Sequence, residues 1–291
     1  MTQQVAPAHV TGVSRDEVLS WLAQTLKPNN FNDYCPNGLQ VEGRRLIKHV
    51  VTGVTASQAL IDHAIAVNAD TILVHHGWFW KGEDGRVTGH RKTRLASLLK
   101  HDINLIAYHL PLDAHPTLGN NAQLALKLGL VPLFDDANQP ITTGPQSLIW
   151  LGHAQASGAR LEAAVHSETS ANSKVVTQTT NQSLAVFAKH IEVVLRRRPM
   201  VIGIPDAPLG LVAWCTGGAQ SMFEAAITAG AQTYITGEIS EPCAHLARET
   251  GVNFICAGHH ATERYGIEAL GQALASAQDI KVSFVDIDNP A

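Results

Sequence analysis

His49-Val50-Val51-Thr52-Gly53-Val54, then Ser57 through Ala66, then Thr71-Ile72-Leu73-Val74-His75-His76-Gly77-Trp78 is the stretch whose reading decides the fold. The two apolar runs read as buried strands and the segment between them as a helix. A strand–helix–strand alternation implies a parallel sheet with right-handed crossovers, and so an α/β protein. The second strand stops directly at two imidazoles. Ligands bind open α/β sheets at the carboxyl ends of such strands. Two imidazoles in a buried strand need partners, so their place at its end has a reason.

Upstream, Ser14 reads as an N-cap with Glu17 three residues on, a capping box before Val18, Leu19, Leu22 and Leu26. Asn32 to Gly38 is a turn-rich loop leading into the short strand Leu39-Gln40-Val41. Downstream, Phe79 to Arg94 is polar and glycine-containing, a flap over the strand ends, and a helix follows from Arg94 to about Lys100. The strand Ile103 to Tyr108 again ends on polar chemistry, His109-Leu110-Pro111-Leu112-Asp113-Ala114-His115-Pro116. There Asp113 is expected in a loop shaped by two prolines, its carboxylate held for an ion. A helix runs from Gly119 to Leu128 and ends at Gly129.

The second half repeats the alternation. Residues 132–146 read as loop, and about 155–181 as a polar excursion without chemistry, which makes His166 a surface histidine. Ser183 to Arg198 is an amphipathic helix, and its Arg196-Arg197-Arg198 run is expected to answer the helix C-terminus. Thr216-Gly217-Gly218-Ala219-Gln220 is a glycine turn that could present backbone N–H groups to an anion, although no Walker Lys-Ser/Thr follows it. Thr233 to Thr236 is a strand ending at Gly237-Glu238, and Glu241 to Thr250 a helix whose His245 reads as a packing residue. Last come Gly258-His259-His260-Ala261-Thr262-Glu263-Arg264, its helix, and the strand Lys281 to Ile287. With a helix starting near Gly258, His259 and Glu263 stand four apart on one face, Cβ atoms about 6 Å apart, and can reach one ion. That face excludes His260. The two halves echo one another, which suggests two similar α/β lobes.

Bulk properties narrow the function classes. At 291 residues the chain can form one large or two modest domains. A charged fraction of 16% against 45% hydrophobic points to surface hidden in an oligomer. The net charge of −4 argues against nucleic-acid binding through a basic face. Cys35, Cys215, Cys243 and Cys256 form no Cys-x-x-Cys unit, so neither thiolate zinc nor a disulfide framework is supported. The N-terminus shows no basic-then-apolar leader, and no apolar run approaches the ~20 residues that span a bilayer, so a cytoplasmic setting is expected. The unusual count is 15 His against 21 Lys plus Arg.

Collecting the strand ends gives His75, His76, Asp113, His259 and Glu263 as candidate metal ligands. Five nitrogen and oxygen donors exceed the needs of one catalytic zinc and suit two divalent ions with a bridging carboxylate. Such donors fit zinc, iron, manganese or nickel. Ions so held lower the pKa of a water until hydroxide is present near neutral pH. His109, Glu238 and His260 are candidates to orient ligand imidazoles or to act as acid or base.

Asn37-Gly38-Leu39-Gln40-Val41, Val74-His75-His76-Gly77, Tyr108 to Asp113, Gly237-Glu238-Ile239-Ser240-Glu241 and Gly258 to Arg264 occur in that order. Together they resemble the Nif-three-like family, also labelled GTP cyclohydrolase 1 type 2 homologues. The resemblance implies two interlinked α/β lobes, a dinuclear metal site in the cleft between them and a ring-shaped homohexamer. The family's ligand motif falls on the same five residues. We expect one lobe over 1–138, with 257–291 packing back on it, and a second over 139–256. The function so implied is a dinuclear metal-dependent hydrolase acting through a metal-bound hydroxide on a small nucleotide-like or phosphate-bearing substrate. A metal-delivery or scaffold protein without turnover is the alternative.

Overall fold

The computed structural model describes residues 11–155 and 182–291. Apart from Gln155, the polar excursion expected at about 155–181, with His166, lies outside the described residues. The chain forms two compact units, Met1–Leu112 with Ile267–Asp288 and Asp113–Gly266 with Asn289–Ala291.

In the first unit, β1 (Val13–Ser14) leads into α1 (Arg15–Leu26) through the expected capping box: the Ser14 side chain accepts the Glu17 amide, and the Glu17 carboxylate accepts the Ser14 amide. Helix α1 buries Val18, Leu22 and Leu26, spaced four apart on one face. Then come β2 (Gly38–Val41), β3 (Leu46–Ile47), β4 (His49–Thr55), α2 (Gln58–Ala66), β5 (Thr71–His76), α3 (Gly89–His101) and β6 (Asn104–Ala107). Strands β4, β5 and β6 pair in parallel, as the alternation implies, and β2 pairs antiparallel with β6. Val51, Ile72, Val74 and Leu105 pack with Leu60, Ile61 and Leu98 of the covering helices. Helix α3 starts at Gly89, ahead of the expected Arg94.

The amino end of this sheet is closed by buried polar side chains with wholly structural duties. The Asp70 carboxylate accepts the amides of Lys48 (2.8 Å) and His49 (3.0 Å), and the Asn104 side-chain oxygen accepts the Gly43 amide (2.8 Å). The histidines lie at the other end, where β5 finishes. Past β6, the loop expected around Asp113 is instead the short helix α4 (Leu110–Ala114). Pro111 sits in its first turn, where a missing N–H breaks no helical bond.

The second unit continues with α5 (Asn120–Leu128), ended by Gly129 in the left-handed region at φ 67°. Then follow β7 (Leu130–Pro132), β8 (Thr142–Thr143), which interrupts the expected loop 132–146, β9 (Ile149–Ala154), α6 (Leu184–Leu195), β10 (Met200–Ile202), β11 (Val212–Trp214), α7 (Phe223–Thr228), β12 (Thr233–Thr236), α8 (Glu241–Thr250) and β13 (Asn253–Cys256). The sheet order is β10-β13-β12-β11-β9-β7, with β8 also paired to β9. Its middle strands β11, β12 and β13 are parallel. Trp150, Phe187, Ile191, Trp214, Ile235 and Ile255 fill its core. The arginine run begins at the C-cap of α6, where Arg196 stands in the left-handed region at φ 54°. The Leu195 carbonyl accepts Arg264 Nη2 (2.7 Å), while the Arg197 guanidinium reaches the Pro290 carbonyl at 2.8 Å.

Helix α9 (His259–Ala277) closes the chain's chemistry, and the division between units falls within it, after Gly266. Strand β14 (Lys281–Phe284) then pairs in parallel with β4, giving the first unit the order β14-β4-β5-β6-β2. No described helix is long and apolar enough to cross a membrane.

Ile72, fully buried in β5, makes the packing measurable. Ile72→Ala should cost about 2–5 kcal/mol, read as a lowered urea midpoint by circular dichroism. Val193→Ala, at a position 67% exposed, should stay within about 0.5 kcal/mol of wild type.

Candidate functional site

Three imidazoles of the first unit gather at the carboxyl ends of β5 and β6. Ring centroids of His75 and His76 are 4.4 Å apart, those of His75 and His109 5.1 Å, and those of His76 and His109 5.7 Å. One nitrogen from each lies within 4.8 Å of the others, close enough to hold a metal ion. The buried His75 donates from Nδ1 to the Tyr108 carbonyl at 3.1 Å. A carbonyl only accepts, so Nδ1 carries a proton and Nε2 is the ring's other polar atom. Thr55 Oγ1 lies 3.3 Å from His76 Nδ1.

His109 is held by a residue that the sequence did not single out. Its Nδ1 lies 2.7 Å from Asp33 Oδ1, while Asp33 Oδ2 accepts the Leu110 amide and Asn37 Nδ2, both at 2.9 Å. Asn37 in turn accepts the His109 amide at 2.8 Å. Burial pushes the Asp33 carboxyl up, but His109 and the surrounding donors outweigh it and hold the group below the usual carboxylate range. Cys35 lies close enough to Asp33 and His109 to join a metal group. Burial and the Asp33 charge push its thiol up to about 12, so it offers no ready thiolate.

The second unit assembles carboxylates with one imidazole. Asp113 in α4 is buried, and its Oδ1 accepts Asn120 Nδ2 at 2.8 Å and Thr216 Oγ1 at 3.3 Å. A carboxylate oxygen of Asp113 lies within 4.8 Å of one on Glu263. Both charges, after burial itself, push the enclosed Cys215 thiol well up. On the first turns of α9, His259 Nε2 faces Glu263 Oε2 at 3.1 Å, the four-residue pairing expected of a helix face. His259 Nδ1 meets Glu238 Oε1 at 2.6 Å, and Gln220 Nε2 donates to the other Glu238 oxygen at 3.1 Å. Burial lowers the His259 pKa, but Glu263 and then Glu238 overcome it and raise it to about 9. His260 is buried beside these residues, and its amide donates to the Ala291 carbonyl at 3.3 Å.

The glycine turn after β11 packs against the carboxylates. Three of its amides are taken inside the protein: Thr216 donates to Asn121 Oδ1 (3.0 Å), Gly217 to Thr262 Oγ1 (3.0 Å) and Ala219 to Thr236 Oγ1 (3.2 Å). Gly217 is needed twice over. Its φ is +67°, and a β-carbon there would collide with the Glu263 carboxylate and crowd the His259 ring.

These observations define an α/β protein with groups of His, Asp and Glu side chains that could hold metal ions. Residues 13–290 match the family described as Duf34/NIF3 (NGG1p interacting factor 3), and the chain belongs to it. A "GTP cyclohydrolase 1 type 2 homolog" of Neisseria meningitidis serogroup A is 49% identical over 279 residues, which cover 96% of this chain and 100% of that protein. One of the same name from Pseudomonas aeruginosa is 46% identical over 262 residues, 90% of this chain and 92% of the relative. The solved structure of protein ybgI, described as of unknown function, superposes with a TM-score of 0.81 at 41% identity, covering 96% of this chain and 100% of that one.

Gly217→Ala should weaken metal binding by about 10–100-fold, the usual effect of disturbing a ligand's support, as read by equilibrium metal titration. Gly230→Ala is the control. Its φ of +84° carries the same backbone strain with nothing within 4 Å, and it should bind metal as wild type does.

Proposed function

We propose that the protein is a dinuclear metal-dependent hydrolase of small nucleotide-like or phosphate-bearing substrates, with His75, His76, Asp113, His259 and Glu263 as its ligands. The observation that carries this reading is the tying of Nδ1 on two of the imidazoles. His75 gives that nitrogen to a backbone carbonyl and His259 gives it to Glu238, which turns each Nε2 into the ligand atom. Carboxylate–imidazole and carbonyl–imidazole pairs of this kind raise ligand basicity and fix ring orientation. Two divalent ions (zinc, iron, manganese or nickel) would supply Lewis acidity and lower the pKa of a water towards neutrality.

His109 is suited to move a proton near those ligands. Asp33 holds its Nδ1 and leaves Nε2 to accept from water or donate to a leaving group. Glu238 is a positioning residue for His259. The relatives' printed name extends the reading to a GTP cyclohydrolase type of reaction, hydrolytic opening of a purine ring. The assembly that goes with it is the ring-shaped homohexamer implied by the resemblance.

Elemental analysis of protein purified without added metal, run beside a nucleotide and phosphoester hydrolysis screen, tests the proposal. His75→Ala should lose both metal and turnover while keeping its circular dichroism spectrum. Turnover that survives this substitution and chelation contradicts it. Bound, freely exchanging metal with no turnover on any substrate would favour the metal-delivery alternative.

A further inference from the structure

The motif Asn37-Gly38-Leu39-Gln40-Val41 reaches the imidazoles through an irregularity in its own strand pairing. In the β2–β6 ladder Leu39 faces Ile106 and Val41 faces Leu105, which leaves Gln40 as an extra residue with no register partner in β6. A bulge of this kind bends the strand and re-aims a side chain. Here the Gln40 amide gains a task from it. Its Oε1 accepts the Trp78 amide at 2.7 Å, and its Nε2 donates to the Pro36 carbonyl at 2.9 Å. One side chain thus ties the turn after His76 to the loop whose Asp33 and Asn37 hold His109. A second tie joins the same two segments, with the Lys81 amide donating to the Tyr34 carbonyl at 2.7 Å.

The turn so held needs holding. Phe79 stands at φ 67°, a left-handed conformation that is strained for a bulky residue and persists only where its neighbours are fixed. On one side, Trp78 is fixed at both nitrogens, its amide by Gln40 and its Nε1 by the Ala56 carbonyl at 3.0 Å. On the other, Trp80 gives its Nε1 to the Gly77 carbonyl at 3.2 Å. The turn lays the Trp80 ring against two imidazoles, with centroids 5.9 Å from His76 and 4.9 Å from His109. Gly77 is required by the same contact, because a β-carbon there would run into the Gln40 amide and the Ala107 side chain.

We propose that Gln40 is a positioning residue for His76. By fastening the Gly77–Trp80 turn to the loop that supports His109, it holds the His76 ring where it can act together with His75 and His109. Gln40 touches no reacting group and acts through Trp78 and Trp80. That this arrangement serves metal binding rests on the reading of His76 as a ligand. That Gln40 sets the ring does not.

The full-length, chelator-treated protein is labelled with diethyl pyrocarbonate, and the rate at each histidine is read by peptide mass spectrometry. Gln40→Met keeps the side-chain length and loses both hydrogen bonds. In it His76 should react about fivefold faster than in wild type, the ratio set by roughly one net hydrogen bond. His49, buried at the amino end of the same sheet, should keep its wild-type rate. Gly77→Ala disturbs the same contact from the other side and should give a similar rise, with no larger one in the double variant. An unchanged His76 rate in these variants, or a rise shared equally by His49, would overturn the proposal. Metal affinity, measured by titration, should fall about tenfold in Gln40→Met, with no further loss when the substitution is added to His76→Ala. A further loss in that background shows Gln40 acting elsewhere and contradicts the proposal. Metal binding undiminished by His76→Ala itself counts against the ligand reading alone, and the labelling rates still decide the role of Gln40.

Discussion

The chemistry of this chain depends on where its imidazoles keep their Nδ1 atoms. His75 gives that atom to the Tyr108 carbonyl, and His259 and His109 give it to Glu238 and Asp33. Each tie costs a rotation that the ring could otherwise make and fixes the direction in which Nε2 points. An imidazole that can turn either way binds an ion weakly, because the ordering must be supplied at the moment of binding. An imidazole already turned does not carry that cost. Under the proposed function, the supporting oxygens matter nearly as much as the ligands.

That constraint explains how polar residues are shared out along the first sheet. At its amino end, Asp70 and Asn104 are occupied with backbone amides and hold β4, β5 and β6 in register. At its carboxyl end the backbone needs less from side chains, and imidazoles can be placed there. The second unit solves the same problem with glycine. Gly217 lets the backbone come up against Glu263, and Gly237, whose amide donates to the Gly217 carbonyl at 2.8 Å, lies against the first residue of α9. Larger residues at either position would press on Glu263 or His259.

Much of the fold was legible because its signals are local. The capping box of α1, the apolar runs of β4 and β5 and the glycine stop of α5 each lie within one short segment. So does the facing of His259 and Glu263, which follows from helix geometry alone. The support of those residues was much less legible, because it comes from far along the chain. Asp33 reads as an ordinary turn residue and reveals its part only by meeting His109, 76 positions on. The turn at Gly217 has the composition of an anion cradle. Only the distant Asn121, Thr262 and Thr236 show that three of its amides are already taken. Likewise Arg264, within a helix, reaches the Leu195 carbonyl at the end of α6 from 69 positions along the chain.

The central claim of the proposed function is that donors far apart in sequence serve one metal centre. Its most direct test is a metal titration of chelator-treated wild type, His75→Ala, Glu263→Gln and the double variant. A shared centre requires strong coupling, with the double variant binding little more weakly than the worse single variant. Losses that simply add, each variant weakening its own independent ion, would contradict the account.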